Sequence, residues 1–306
     1  MPSLDAVAKL LPDEIEEASQ VDPRRPWIVR YGSRRAVLRA TDLNALQSLG
    51  FSPELAYASL AWLHELLRDL STAGFTAPAP LTELDGQSIV VIDGIAWELL
   101  TFVPGRPMAW SDYEMRHAGA LLASLHAALT GLSPREQRPG ALPIESCRPA
   151  DLVARGIQAE LERELSGIGY ERVGRTVVHG DATQANVVIE GDKFAFVDYT
   201  IAYVECELFD IASALWRNAR VDANAVRYDP GRAALFVGGY CGERRLKPVD
   251  AIAIVALMKG RGLQLQQRLE LRRGVDDTVL QRLVAICAQS RELVEAMAGA
   301  IATLSP

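Results

Sequence analysis

The chain has 306 residues, enough for two domains or one two-lobed enzyme with a sizeable core, and its 49% hydrophobic and 23% charged residues exclude a disordered protein. A net charge of −7 argues against a nucleic-acid partner, because displacing phosphate counterions needs a basic stripe. Residues 1–102 carry 8 Lys+Arg against 14 Asp+Glu, leaving 24 against 25 for the rest, so the acidity sits in the first third and the larger part has little overall field to attract a polycation.

In chain order, residues 4–19 read as a short amphipathic helix, with Leu4, Val7, Leu10, Leu11 and Ile15 on one face. The prolines in Val21 to Pro26 break it. Trp27 to Tyr31 and Ala36 to Ala40 read as strands joined by a turn at Gly32-Ser33-Arg34. From Pro53 to Thr72 the leucine spacing is helical, ending at Gly74. Ser88 to Ile92, Asp93-Gly94 and Ile95 to Leu100 form a second hairpin, and Thr101 to Pro107 is the natural linker. Helices are predicted over Asp112 to Thr130 and Ala150 to Ser166, then from Phe209 to Asn218. Three more follow between Gly231 and Leu304, with breaks near Gly242, Lys247-Pro248 and Gly274.

Cys147, Cys206, Cys241 and Cys287 lie far apart with no C-x-x-C pair, which favours reduced thiols over a disulfide framework or a zinc site. Met1 to Asp5 lack the basic start of a signal peptide, and no stretch reaches the ~18 apolar residues that span a bilayer. A cytoplasmic protein without membrane or nucleic-acid partners is expected.

The chemistry concentrates between Thr176 and Thr200. Asp181 follows one apolar run, Asn186 precedes a second, and Asp198 ends a third, so all three polar side chains fall within one hairpin's reach. An Asp can accept a hydroxyl proton, while Asn and Asp oxygens suit Mg²⁺, which takes one or two carboxylates plus phosphate oxygens and water. The alternative reading is a hairpin whose Asp and Asn merely make turns.

Val177-Val178-His179-Gly180-Asp181-Ala182-Thr183-Gln184-Ala185-Asn186-Val187-Val188, followed by Phe194 to Thr200, resembles the HGDxxxxN motif and the following metal-binding Asp of the aminoglycoside phosphotransferase and choline kinase superfamily. Ala118 to His126, Phe209-Asp210-Ile211-Ala212 and Leu99 to Gly105 look like that family's companion segments, in the same order. The resemblance implies an α+β, two-lobed protein-kinase-like fold. Residues 1–102 would be a small antiparallel sheet lobe that binds nucleotide, residues 103–306 a mostly helical lobe, and the hinge would lie at about 99–104.

It further implies Asp181 as the base and Asn186 and Asp198 as Mg²⁺ ligands. Leu99, Leu100, Thr101 and Phe102 would make the main-chain contact to adenine or guanine, and Arg39 would be the strand cation on the phosphates of ATP or GTP. Strand alternation puts Arg35 on the same face as Arg39. His179, His126 and Asp210 are expected to be scaffold. The sequence departs from the family where the small-lobe helix would supply a Glu for Arg39: the register falls near Ser59-Leu60, with Glu54 and Glu65 displaced. It departs again at Gln20 to Pro26, which stands in place of a Gly-rich phosphate loop, leaving Arg24 or Arg25 as candidates there.

The implied reaction is transfer of a γ-phosphoryl group to a hydroxyl of a small molecule. An antibiotic or sugar-like natural product is favoured as acceptor, in a pocket that includes Glu205 and Glu207. The alternatives are a choline- or homoserine-like metabolite kinase, a stress-type Ser/Thr protein kinase, and a nucleotide-binding pseudokinase.

Overall fold

The computed structural model describes residues 15–19, 26–31, 33–44, 52–82, 86–109, 111–133, 135–141, 144–222 and 224–304. The chain divides into two compact units, Met1–Pro104 with Arg138–Gly140, and Gly105–Gln137 with Ala141–Pro306.

Among the described residues, the first unit is a five-stranded antiparallel sheet with one long helix. Its strands are β1 (Ile15–Ser19), β2 (Trp27–Tyr31), β3 (Arg34–Asp42), β4 (Ile89–Ile92) and β5 (Ile95–Thr101), in the order β1-β2-β3-β5-β4. Asp93 (φ 51°) and Gly94 (φ 78°) are both left-handed, as a two-residue hairpin turn of matching twist requires. Helix α1 (Pro53–Thr72) starts where Ser52 accepts from the Leu55 N–H at 3.2 Å and Pro53 presets the first helical φ. It buries Leu60, Leu63, Leu66, Leu67 and Leu70, each contributing about 1.5–3 kcal/mol.

Period-two alternation sorts β3. Ala36 and Leu38 join Val29, Ile95, Trp97 and Leu99 in one apolar cluster, which turns Arg35, Val37 and Arg39 to the opposite face. Leu43, Ala56, Leu60, Ile89 and Ala96 make a second cluster between sheet and α1.

One predicted element changes type. Ile15–Ser19, read as the end of a helix over 4–19, is strand β1, pairing Ala18 with Val29 and Ser19 with Ile28. A helix that short is marginal alone, and the open edge of β2 offers a full hydrogen-bond ladder instead. Residues 4–14 and the segment 20–25, with Arg24 and Arg25, lie outside the described residues. The predicted linker is also partly structured: Thr101 ends β5, and Arg106–Pro107 forms strand β6.

The second unit holds six helices among the described residues: α2 (Asp112–Thr130), α3 (Leu152–Gly167), α4 (Glu207–Asn218), α5 (Pro230–Cys241), α6 (Asp250–Arg273) and α7 (Asp277–Leu304). Their starts carry the expected caps. Ser111 accepts from Glu114 N–H, Asp151 from Val153 and Ala154, and Asp229 from Gly231 and Arg232. The strands β7 (Thr176–Val178), β8 (Val187–Glu190), β9 (Lys193–Phe196) and β10 (Tyr203–Glu205) form two small sheets, β10-β7 and β6-β8-β9. Among the described residues, no helix is long and apolar enough to cross a membrane.

Candidate active site

The loop from β7 to β8 is shaped by one buried acid on α4. Asp210 accepts the main-chain N–H groups of His179 (2.7 Å, Oδ2) and Gly180 (2.9 Å, Oδ1), and His126 Nε2 lies 3.2 Å from Oδ2. Burial alone would raise the pKa of Asp210. The hydrogen bond and charge of His126, with the donors of the loop, outweigh burial and hold it below the usual carboxylate range. His126 in turn meets the Tyr240 hydroxyl at 2.9 Å.

The turn then needs Gly180. Its φ is 77°, and a Cβ there would collide with the carbonyl oxygen of Ile201. Ser213 closes the loop by donating to Gly180 O at 2.8 Å. His179 is fully buried, with Nε2 3.2 Å from Val197 O and Nδ1 accepting from Asp181 N–H at 3.3 Å. Both histidines are thus committed to scaffold hydrogen bonds.

This scaffold presents Asp181 and Asn186 side by side. Asn186 Nδ2 donates to Asp181 O at 2.9 Å and to Asp181 Oδ2 at 3.1 Å, so the amide oxygen of Asn186 points away from the carboxylate. Gln184 fixes the turn between them, donating through N–H to Asn218 Oδ1 (2.8 Å) and through Nε2 to Met108 O (2.9 Å).

Asp198 sits at the other end of the same hairpin. The pairing of Val187 with Phe196, continued by Val197 N–H to Asn186 O at 2.8 Å, sets Asn186 and Asp198 at the hairpin's open end. Asp198 is exposed and left-handed, with φ 61°. Such backbone strain in a non-glycine residue clusters where a side chain must be aimed. Its Oδ1 accepts from Thr200 Oγ1 (2.6 Å) and N–H (3.3 Å), which orients the carboxylate. One neutral and one anionic oxygen, braced from behind, fit a hard divalent cation that completes its shell with phosphate and water. Among the described residues, no trio of His, Cys, Asp or Glu forms a separate metal cluster.

A residue that the sequence reading passed over reaches the centre of this loop. Arg261 of α6, with its side chain 9% exposed, places Nη2 3.1 Å from Asp181 Oδ1. The signal was present in Lys259-Gly260-Arg261-Gly262, since two glycines inside a helix are costly unless packing demands them. A Cβ on Gly262 would meet Leu283 and Trp216 at 2.6 Å, and one on Gly260 would strike Ile144.

Glu205 and Glu207 do not behave as pocket acids. Glu205 is fully buried, bound to the Tyr170 hydroxyl (2.6 Å), Cys206 N–H (2.8 Å) and Arg175. Glu207 is held by Arg244 at 2.5 and 2.9 Å. Their charges are spent on holding α4 and its neighbours.

In the first unit, Arg39 is gripped by Glu98 of the neighbouring strand. Its Nε and Nη2 donate at 2.7 and 2.6 Å to the two carboxylate oxygens, and His64 Nε2 of α1 stands 2.7 Å from Oε1. The acid comes from β5, directly opposite Arg39 in the ladder, and α1 contributes a histidine. Burial would raise the pKa of Glu98, but the Arg39 charge and the hydrogen bonds from His64 and Arg39 overcome it and hold it at about 2. The sequence reading missed Glu98, whose one local signal is that it is the single acid in Ile95-Ala96-Trp97-Glu98-Leu99-Leu100, since a buried charge needs a partner.

Arg35 stacks 4.0 Å above the Phe102 ring instead of competing for the acid. At the end of β5, Leu99 O accepts from Leu81 N–H and Thr101 N–H donates to Ala79 O, both at 2.8 Å. Two of the main-chain groups expected to meet a purine are therefore engaged by the segment Ala79 to Leu81.

The family model described as "Phosphotransferase enzyme family" matches residues 17–249. The chain belongs to this family. A curated homoserine kinase of Gluconacetobacter diazotrophicus is 29% identical over 241 residues, 73% of each chain. Among solved structures, an amicoumacin kinase in complex with AMP-PNP and Ca²⁺ is 17% identical with a TM-score of 0.68, covering 94% of this chain and 91% of the other. A microcompartment-associated aminopropanol kinase is 16% identical with a TM-score of 0.69, covering 98% of both. The phosphotransferase thus has the two-lobed kinase-like fold of these solved structures.

Proposed function

We propose that the phosphotransferase moves the γ-phosphoryl group of ATP or GTP to the hydroxyl of a small metabolite. In the second unit, Asp181 takes the hydroxyl proton while Asn186 and Asp198 hold Mg²⁺, which supplies charge neutralisation on the phosphates. In the first unit, Arg39 contacts the α- and β-phosphates. The purine edge meets main chain at the Leu99 to Phe102 segment, chiefly from Phe102 onward, since Leu99 O and Thr101 N–H are already bonded.

The observation that carries this reading is the pairing of Asp181 with Asn186 at 3.1 Å, on a loop whose hairpin partner strand ends in a strained Asp198. Glu205 and Glu207 are neutralised internally, and the loop carboxylate faces a cation, which disfavours a polycationic antibiotic as acceptor. Support for a metabolite kinase comes from the curated relatives named homoserine kinase. The test is nucleotide turnover with and without an alcohol panel. Acceptor-dependent product that falls about 10²–10⁴-fold in Asp181→Asn supports the reading. Nucleotide binding with no turnover in either protein would leave a pseudokinase.

A further inference from the structure

Both oxygens of the Asp181 carboxylate are taken, and by donors on different elements. Asn186 Nδ2 of the loop donates to Oδ2, and Arg261 Nη2 of α6 donates to Oδ1, each at 3.1 Å. Two donors on the two oxygens fix the rotation of the carboxylate, which one alone would leave free. Among the described residues Arg261 makes its one ion pair here, and its buried Nε meets no acceptor.

The residues around Arg261 hold α6 in the register that delivers this guanidinium. Lys259, its side chain 2% exposed, donates to Glu160 at 2.7 Å and to Glu164 at 2.8 Å, which ties α6 to α3. Gly260 lets α6 close on Ile144, and Gly262 lets it close on Trp216 and Leu283, where a Cβ would collide. Gln264 Nε2 then donates to the Tyr203 hydroxyl at 3.2 Å, and Tyr203 pairs across β10-β7 with Val178, the residue before His179. The helix is therefore fastened to its neighbours on either side of Arg261 in sequence.

Such a clamp answers a problem built into the loop. Asn186 is bonded to Asp181 and, with Asp198, is a metal ligand in the reading above; Mg²⁺ takes anionic oxygen readily. A carboxylate one hydrogen bond from such a ligand is drawn to the cation, and an oxygen that binds the cation no longer offers the lone pair a base needs. Arg261, from a helix that contributes nothing to the hairpin, supplies a competing positive charge on the other carboxylate oxygen.

We propose that Arg261 is a positioning residue that keeps the Asp181 carboxylate out of the metal's coordination shell and available to the acceptor hydroxyl. The inference rests on the kinase reading above.

The experiment compares full-length wild type, Arg261→Gln, Arg261→Lys and Asp181→Asn by two measurements. One is Mn²⁺ binding in the presence of ADP or GDP, read as loss of the free-ion EPR signal. The other is steady-state transfer to the best alcohol of the panel. In Arg261→Gln the released carboxylate joins the metal, so Mn²⁺ should bind about 10-fold more tightly, because an added anionic ligand raises affinity. Its kcat should fall about 10²-fold through the misplaced base, with the KM of nucleotide and acceptor near wild type. Arg261→Lys keeps the charge and loses the fork, so it should retain wild-type Mn²⁺ binding and recover part of kcat. Asp181→Asn should leave Mn²⁺ binding unchanged, since the wild-type carboxylate is no ligand.

Mn²⁺ binding that is unchanged or weaker in Arg261→Gln overturns the proposal. Unchanged binding with a raised KM marks a substrate-binding arginine, and weaker binding marks a structural one; both leave the kinase reading standing. Tighter binding without loss of kcat also overturns it. Should Arg261→Gln fail to fold, Asp181→Asn decides, because weaker Mn²⁺ binding there makes Asp181 a ligand already in the wild type. Absence of Mn²⁺ binding with either nucleotide, together with absence of transfer in the wild type, removes the kinase reading itself.

Discussion

Replacing Glu98 by Gln keeps the shape of the side chain and deletes the charge that Arg39 and His64 share. The native environment lowers the Glu98 pKa from 4.5 to about 2. At about 1.36 kcal/mol per pH unit, that depression corresponds to roughly 3 kcal/mol of stability near neutral pH. The figure agrees with the ~3–5 kcal/mol lost when one partner of a buried ion pair is removed. The sign follows from linkage. A carboxylate whose folded pKa is depressed stabilises fully above its unfolded value of 4.5 and loses that contribution as pH falls toward about 2.

Urea denaturation of wild type and Glu98→Gln at several pH values reads this directly. The stability gap should be about 3 kcal/mol near pH 7 and narrow steadily below about pH 4.5. Because Glu98 holds the guanidinium proposed to meet phosphates, Glu98→Gln should also raise nucleotide KM. A gap that stays flat across the acid range, or is absent at neutral pH, would refute the claim that this charge braces Arg39.

Asp210→Ala removes the acceptor of two loop N–H groups and of His126, so it should cost about 2–4 kcal/mol in denaturation and abolish turnover even where the fold survives. Gly180→Ala should destabilise by more than about 1 kcal/mol, measured as a thermal shift, since both its φ of 77° and the Ile201 carbonyl oppose a Cβ. Asp198→Ala should raise the Mg²⁺ concentration for half-maximal activity by at least the ~10–100-fold that outer-shell changes cost, with acceptor KM little altered. An unchanged Mg²⁺ profile would remove Asp198 from the metal.

Much of the architecture was readable because local signals agreed. Pro53 after Ser52, the Asp93-Gly94 turn and the leucine spacing of α1 each marked an element, and the breaks near Gly242, Pro248 and Gly274 fall between α5, α6 and α7. The segment Ile15–Ser19 was misread because five residues are too few to tell a helix end from an edge strand, and only the neighbouring edge of β2 decides.

The loop from His179 to Asp198 was legible for a different reason. Its polar residues are dense, and their spacing matches a hairpin. Arg261 was hidden, since 80 residues separate it from Asp181 and nothing in the local pattern of α6 points to that loop. Glu98 escaped because its partner lies across a strand pair, a relation set by register rather than by local sequence.

The central claim is that Asp181 and its neighbours pass a phosphoryl group to a small alcohol. Phosphorus NMR of a reaction containing the enzyme, MgATP and the panel acceptors tests it most directly. A new phosphomonoester resonance should grow with ADP, at least about 10²-fold more slowly in Asp181→Asn. Equal rates of phosphomonoester formation in the two proteins, or ADP and inorganic phosphate with no ester from any acceptor, would contradict it.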